Sequence, residues 1–227
     1  MAALESHRFV YTFPAIANDA EGVPAFTWAE GLQPFGSELE LDTNRALTMF
    51  QVGAGVFTSE ECRRVIELGE ARPKEGAGVG GAGADGRKAL RNSVVAAIEP
   101  HEETQWLYHK LGAMFSEVNA FFDFELLGLV DPPQYTVYGS SQHYDWHIDV
   151  GTVGPASLRK LSLTVLLADG AAYEGGNLEF LNGASQEGQR AIGTAIFFPA
   201  FLPHRVSPVT SGVRRSLVAW ACGPSFR

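Results

Sequence analysis

The pattern of apolar positions changes character near residue 133. Over 58–73 and again over 101–122, apolar residues recur at helical spacing, which predicts two helices. Thr58 stands three residues before Glu61, the spacing of a capping box at a helix start. From 134 onward, short apolar runs alternate with Gly, Pro, Asn and Ser turns, which is typical of strands. The predicted strands are 134–138, 142–149, 159–168, 177–181, 193–198, 203–207 and 214–221.

These patterns predict one structural domain with three regions. Residues 1–48 contain prolines and scattered aromatic residues, typical of an extended arm or of short strands. Residues 49–133 form a helical support region, and residues 134–227 form a β-rich core, a sandwich or a small barrel. A chain of 227 residues buries enough apolar surface to fold without a disulfide or a structural metal.

Composition and charge narrow the function classes. The formal net charge of −9, from 17 basic and 26 acidic residues, disfavours a general nucleic-acid-binding surface. Cys62 and Cys222 do not form a disulfide framework, and we interpret them as reduced thiols. The sequence has no stretch typical of a signal peptide or a transmembrane helix. We therefore expect a soluble, cytoplasmic protein that binds neither nucleic acid nor membrane.

Residues 76–86 are rich in glycine and contain a G-x-G-x-x-G pattern at Gly78, Gly80 and Gly83. A dinucleotide site requires a strand before this pattern and a helix directly after it. Here a predicted helix ends before the segment and a strand-like run follows it, so we predict a loop instead. This loop and the polar turn 150–157 are candidates for covering a substrate site.

The segment from Tyr144 to Asp149 contains the first candidate metal ligands. Residues two apart on a strand point to the same face, so His147 and Asp149 can serve one metal ion. With His204 they would form the two-histidine, one-carboxylate facial triad of non-haem Fe(II) oxygenases. The rival pair His143 and Asp145 has the same spacing. Asp149 lies at the strand end before a glycine-rich turn, and this position favours His147 and Asp149 over His143 and Asp145.

Arg214 follows His204 by ten residues, and Ser216 follows Arg214 on the same face of a predicted strand. A guanidinium fork binds a carboxylate in a bidentate manner, and a hydroxyl adds another donor. A cosubstrate that chelates iron at one end must be bound at its other end. The distal carboxylate of 2-oxoglutarate would meet that requirement.

The stretch 135–222 resembles the catalytic domain of prolyl-4-hydroxylase-like 2-oxoglutarate/Fe(II) dioxygenases, most of all their bacterial single-domain members. The resemblance implies a mainly β fold with flanking helices, a double-stranded β-helix of the jelly-roll, cupin-like barrel type. The segments that carry it are 135–149, 159–162, 173–178, 198–199 and 204–209 through to Trp220.

The resemblance also implies roles residue by residue. His147, Asp149 and His204 match the iron ligands, and the spacing in the family also favours this set. Arg214 matches the residue that binds the distal carboxylate of 2-oxoglutarate, and Tyr138 matches a tyrosine that hydrogen-bonds the cosubstrate. Together these residues would form the catalytic and cofactor-binding set.

One position departs from the pattern of the family. Leu166 stands where some relatives have a tyrosine that reaches 2-oxoglutarate. Thr164 lies on the same predicted face, and Ser216 is a candidate substitute for the missing contact. The candidates for contact with the substrate are Trp220, Tyr144 and Arg91.

The implied reaction hydroxylates an unactivated C–H bond of a prolyl or other aminoacyl-type substrate, protein-bound or free. It is coupled to decarboxylation of 2-oxoglutarate to succinate and CO₂, with ascorbate as a candidate reductant. Two other functions use similar residues: a zinc-dependent hydrolase at the same His/Asp/His site, and a non-catalytic ligand-binding protein of the cupin type. Arg214 and Ser216 together would bind a carboxylate, and we call this pair the carboxylate clamp. It argues against the hydrolase, because a hydrolase has no need of such a binding site.

Overall fold

The computed structural model describes residues 4–8, 15–18, 24–27, 29–30, 32–33, 35–42, 50–76, 90–181 and 190–226. The predicted glycine-rich loop lies outside these residues except at Gly76, as does the G-x-G-x-x-G pattern. Contacts divide the chain into two units, Met1–Asn44 and Arg45–Arg227. Neither helix of the described part has the length and apolar character that crossing a membrane requires.

The first unit consists of short antiparallel strands in its described residues. Strand β1 pairs with β4, and β2 pairs with β3. These strands are β1 (Leu4–Arg8), β2 (Ala15–Asn18), β3 (Pro24–Thr27) and β4 (Glu38–Asp42).

The second unit contains both predicted helices, α1 (Ser59–Glu70) and α2 (Gln105–Phe122). The capping box is confirmed: Glu61 N–H donates to the Thr58 hydroxyl at 3.1 Å, and Thr58 N–H donates to the Glu61 carboxylate at 2.8 Å. Helix α2 begins later than predicted because Glu102–Thr104 forms a 3-10 turn before it.

The strands of this unit form two main antiparallel sheets. The major sheet has the order β5-β14-β11-β17-β9-β8-β6, and the minor sheet has the order β13-β15-β10-β7. Strands β12 and β16 pair separately. The strands are β5 (Gln51–Gly53), β6 (Glu75–Gly76), β7 (Arg91–Asn92), β8 (Val94–Ala97), β9 (Gln134–Tyr138), β10 (His143–His147), β11 (Arg159–Leu166), β12 (Tyr173–Gly175), β13 (Leu178–Phe180), β14 (Ala195–Pro199), β15 (His204–Val206), β16 (Val209–Gly212) and β17 (Arg214–Cys222).

This arrangement is a double-stranded β-helix, or jelly roll, so the predicted fold class is confirmed. All seven strands predicted after residue 133 are present, and each ends within two residues of its predicted bounds. Strands β12 and β16 were not predicted, and of the strands contributed by residues 50–97 only β8 was indicated, by the strand-like run that follows the glycine-rich segment. The major sheet therefore begins well before residue 134.

Successive side chains along the central strands point alternately into the hydrophobic core and toward the site. On β17, Leu217 and Ala219 pack in the core that contains α1 and α2 side chains. On the same strand, Val218 and Trp220 line a cavity on the other face of the sheet. The helices therefore support one face of the major sheet, and the opposite face is left for binding.

Candidate metal centre and its cavity

Three side chains meet where the minor sheet ends. His147 closes β10 and is paired in register with His204 at the start of β15, so their ring centres lie 4.2 Å apart. The N–H groups of Asp149 and Val150 both donate to the carbonyl of Ala200, at 2.8 and 3.0 Å, which holds the chain just past the strand. The ligand atoms of His147, Asp149 and His204 all lie within 4.8 Å of one another.

The hydrogen bonds of the two imidazoles fix which nitrogen is free. Nδ1 of His147 is 2.7 Å from the carbonyl of Asp145, and Nδ1 of His204 is 2.8 Å from that of Leu202. A carbonyl only accepts, so each Nδ1 carries the hydrogen and each Nε2 has a free lone pair. These Nε2 atoms lie 3.7 and 3.6 Å from the Asp149 carboxylate oxygens. The three groups are oriented for one metal ion.

Burial and neighbouring charges favour the protonation states in which His147 and Asp149 can bind a metal. The side chains of His147, Asp149 and His204 are 9, 8 and 6% exposed. Burial, and then the neighbouring His204, lower the pKa of His147 to about 4. Burial opposes ionisation of Asp149, but the two imidazoles and the Ser162 hydroxyl outweigh it and lower the pKa of this carboxyl. At neutral pH, His147 is therefore neutral and Asp149 is charged, which suits a divalent cation.

A β-bulge separates the two candidate His/Asp pairs. The register of β10 against β15 shifts between Tyr144 and His147. As a result their rings stack at 3.4 Å with an interplanar angle of 10°, although they are three residues apart. Asp145 is exposed and accepts the N–H of Trp146, and neither it nor His143 belongs to the cluster of ligand atoms.

Two residues that the sequence did not single out hold Asp149. Ser162, on β11, donates its hydroxyl hydrogen to Oδ2 of Asp149 at 2.7 Å. Arg159 donates from Nη1 to the Asp149 carbonyl at 3.2 Å and is paired with Asp131 at 2.6 Å. Its guanidinium also lies 3.7 Å from the ring centre of Trp220. The alternation that places Thr164 toward the site also places Ser162 there, so strand parity could have indicated it.

Arg214 is a buried cation without an acidic partner among the described residues. Its side chain is fully buried, and Nη1 donates to the Ser216 hydroxyl at 2.8 Å. Its Nε and Nη2 atoms are buried and have no hydrogen-bond partner. The guanidinium carbon lies 5.3 Å from the ring centre of Tyr138. A buried guanidinium left unpaired is costly, so these donors fit an anionic ligand.

A cavity of about 740 Å³ opens at the three ligands. Arg214 and Ser216 are not on its lining but lie next to it, beside Tyr138. The remaining wall is mixed: Gln134 and Arg159 are polar, whereas the predicted covering turn contributes the apolar Val150 and Val153. The predicted site residues that line it are His147, Asp149, His204, Tyr138, Thr164, Tyr144, Arg91 and Trp220.

The structure also places the three residues that were predicted to contact the substrate. The Arg91 guanidinium lies 4.6 Å from the ring centre of Tyr144, whose other neighbour is the His147 ring. Trp220 lies on the wall contributed by the major sheet. Leu166 is fully buried and does not line the cavity.

Comparison with known proteins relates this site to one family. Residues 133–222 match the family model of the 2OG-Fe(II) oxygenase superfamily. A PKHD-type hydroxylase of Nitrobacter winogradskyi is 30% identical over 182 residues, which are 76% of this chain and 77% of that protein. A PKHD-type hydroxylase of Alteromonas mediterranea is 35% identical over 95 residues, 39% of this chain but only 42% of the relative's length.

Solved structures show the same fold. A prolyl-4-hydroxylase of Pseudomonas putida superposes with a TM-score of 0.57 at 19% identity, covering 78% of this chain and 93% of that one. A prolyl hydroxylase of Trichoplax adhaerens, in complex with a hypoxia-inducible factor peptide fragment, superposes with a TM-score of 0.61 at 16% identity, covering 76% and 83%. The chain belongs to the 2OG-Fe(II) oxygenase superfamily, with PKHD-type hydroxylases among its relatives, and the cofactor of this superfamily is Fe(II) and its cosubstrate 2-oxoglutarate.

Proposed function

We propose that this protein is a 2-oxoglutarate- and Fe(II)-dependent dioxygenase. It hydroxylates an unactivated C–H bond of a prolyl or other aminoacyl-type substrate, protein-bound or free, and forms succinate and CO₂. The observation that carries the proposal is Arg214, a buried guanidinium with two unsatisfied nitrogens, beside a cavity that holds the His147, Asp149 and His204 cluster. A metal site alone fits many reactions, whereas an adjacent carboxylate site fits this cosubstrate.

In this proposal His147, Asp149 and His204 would hold Fe(II) as a two-histidine, one-carboxylate site. When bound, the iron with 2-oxoglutarate and O₂ would supply the oxidising chemistry. Arg214 and Ser216 bind the distal carboxylate of the cosubstrate. Tyr138 and Thr164, on the cavity wall, donate hydrogen bonds to it. The protein thereby fixes the orientation of the cosubstrate relative to the metal.

Three residues are proposed to contact the substrate. Tyr144 and Arg91 form one wall of the cavity, and Trp220 lies on the wall contributed by β17. The cavity of about 740 Å³ has room for an aminoacyl side chain beside the cosubstrate. The peptide carried by the Trichoplax adhaerens enzyme gives one precedent for such a substrate in this fold. The apolar residues at Ile148 and Val153 suit an aliphatic ring or chain.

The first experiment measures uncoupled turnover of 2-oxoglutarate by the purified protein with Fe(II), O₂ and ascorbate. We expect slow succinate formation that requires Fe(II) and is lost in Arg214→Ala. The matched control is Arg215→Ala, on the same strand but opposite face, where the guanidinium bonds the Tyr135 hydroxyl. Equal turnover by Arg214→Ala and the wild type would contradict the cosubstrate assignment.

A second experiment separates the proposed enzyme from the two alternatives. Anaerobic addition of 2-oxoglutarate to the Fe(II)-loaded protein is expected to give a charge-transfer band in the visible region. A non-catalytic cupin-type protein or a zinc hydrolase would give no such band. Because zinc binds such ligands more tightly than ferrous iron, the protein must be stripped of metal before loading.

A further inference from the structure

We propose that the Tyr173 hydroxyl is an additional binding group for the distal carboxylate of the cosubstrate, acting together with Arg214. This inference rests on the proposed function and deepens it. Tyr173 opens β12, outside the strands that provide the other site residues. Tyr173 follows a 3-10 turn and is not part of the major sheet. It is also distant in sequence from Arg214 and Ser216, the carboxylate clamp.

The Tyr173 hydroxyl is buried and has no hydrogen-bond partner. The whole residue is only 3% exposed, so solvent does not satisfy this group. Leaving a buried hydroxyl unpaired costs on the order of 1–3 kcal/mol, and native structures keep few such groups. Arg214 Nε and Nη2 are unpaired in the same way. A single anionic ligand would satisfy both residues.

Gly176 shows that the two side chains approach each other. A Cβ placed on this glycine would lie 3.0 Å from Cδ of Arg214 and 3.5 Å from Cε2 of Tyr173. It would also lie 2.9 Å from a methyl carbon of Val209. The backbone at Gly176 has a φ of +62°, which favours glycine independently. Any other residue here would therefore crowd Val209 and Arg214, and it would stand in van der Waals contact with the tyrosine ring.

The tyrosine ring is held in place by Arg190. The Arg190 guanidinium carbon lies 4.3 Å from the ring centre, and Nη2 donates to the carbonyls of Tyr173 and Gly175, at 2.9 and 3.1 Å. Tyr173 also packs in the same buried cluster as Tyr138. A ring fixed on these sides presents its hydroxyl without further loss of side-chain entropy when a ligand binds.

The chemistry of the pocket gives the hydroxyl a role. At position 166 the chain has leucine, which is fully buried and offers no donor. A carboxylate has about four lone-pair sites and is best bound by several donors. Arg214 Nε and Nη2 and the Ser216 hydroxyl supply such donors, and the Tyr173 hydroxyl adds a further neutral donor that leaves the charge balance unchanged. Tyr173 thus takes over the contact that Leu166 cannot make.

The test uses Tyr173→Phe, which removes only the hydroxyl. We expect the Mn(II)-loaded variant to bind 2-oxoglutarate about tenfold more weakly than wild type, or worse, because a hydrogen bond to a charged group is lost. We expect its melting temperature without cosubstrate to be unchanged or higher, because an unpaired buried hydroxyl is gone. Mn(II) affinity itself should not change.

Two controls make the result specific. The first is 2-oxopentanoate, which has the same carbon chain without the distal carboxylate; its binding should be equally weak in both proteins. The second is Tyr135→Phe, which removes a buried hydroxyl bonded to Glu70 and Arg215, on the helix-facing side of the sheet. This variant should lose stability but keep its affinity for 2-oxoglutarate.

The outcomes are distinguishable. Equal 2-oxoglutarate affinity in wild type and Tyr173→Phe would overturn this inference and leave the proposed function intact. A variant that loses stability but keeps its affinity would show a structural role and would also overturn the inference. Failure of the wild-type protein to bind 2-oxoglutarate at all would overturn the proposed function and this inference together.

Discussion

The Ser162 hydroxyl lies 2.7 Å from Oδ2 of Asp149 and donates its hydrogen to that carboxylate. Ser162 is fully buried in the middle of β11, so the donor has a fixed position. It binds the oxygen that faces His204, at 3.6 Å from Nε2. The carboxylate is therefore oriented from the major sheet, whereas both imidazoles come from the minor sheet.

We predict that Ser162→Ala weakens binding of a divalent metal by about 10- to 100-fold, because a partner that orients a ligand is removed. Anaerobic titration of Fe(II) or Mn(II) would measure the change. The control is Ser157→Ala, whose hydroxyl bonds an exposed carbonyl at Gly154 and should not affect the metal. Metal affinity equal to wild type in Ser162→Ala would show that Asp149 is held without it.

The lowered pKa of His147 predicts a pH dependence for the stability of the metal-free protein. In the unfolded chain this histidine binds a proton near pH 6.5, whereas in the folded protein it does so only near pH 4. Between these values the unfolded state binds more protons, so the free energy of unfolding falls as pH decreases. The limiting slope for one group is about 1.4 kcal/mol per pH unit.

Thermal melts of the metal-free protein between pH 7 and pH 5 would test this dependence. His147→Gln should flatten the decrease in melting temperature, because the titrating group is absent. His109→Gln changes an exposed histidine of α2 and serves as the control. If His147→Gln retained the full wild-type slope, the decrease would have to be assigned to other groups.

Arg159 contacts the backbone of the metal ligand Asp149, and it is also predicted to stabilise the folded protein. Replacement by Lys keeps the charge but loses the fork that binds Asp131 and the flat contact with Trp220. We expect Arg159→Lys to lower the free energy of unfolding by about 1–2 kcal/mol, as for other lost hydrogen bonds between charged groups that are partly buried. Urea unfolding measures it. The control, Arg63→Lys in an exposed pair on α1, should change stability by less than about 0.5 kcal/mol.

Gly193 and Gly55 form a matched pair for a backbone prediction. Both have positive φ, at +77° and +65°, so alanine at either position costs about 1–2 kcal/mol. A Cβ on Gly193 would also lie 1.9 Å from the carbonyl oxygen of Phe57, while one on Gly55 meets nothing. Gly193→Ala should therefore destabilise the fold clearly more than Gly55→Ala. Equal melting temperatures would show that the Phe57 backbone moves freely.

The sequence was informative where a period of two continued for several residues. Strand β17 begins at its predicted residue, and its alternation placed Arg214 and Ser216 on one face, where they are hydrogen-bonded. Strands β5, β7 and β12 have two or three residues each and show no such period, so they were not predicted, whereas the equally short β13 and β15 lie inside longer runs that were predicted.

The site illustrates a second limit on what the sequence alone could predict. Parity could not choose between His143 and His147, because the choice depends on a bulge in β10, which arises from pairing with β15 and has no local signature. Tyr173 was not identified as a site candidate, since its proximity to Arg214 exists only in the folded chain, where both side chains lie beside Gly176. Long-range contacts of this kind are set by the tertiary fold and not by spacing along the chain.

The two faces of β17 have a consequence for engineering. Leu217, Ala219 and Ala221 belong to the core shared with the helices, so randomising them would mostly yield unfolded protein. Val218 and Trp220 alternate with them and border the cavity, so a library at these two positions would alter its shape while sparing that core. Directed evolution toward a new substrate can therefore start on a single strand, with every second codon left untouched.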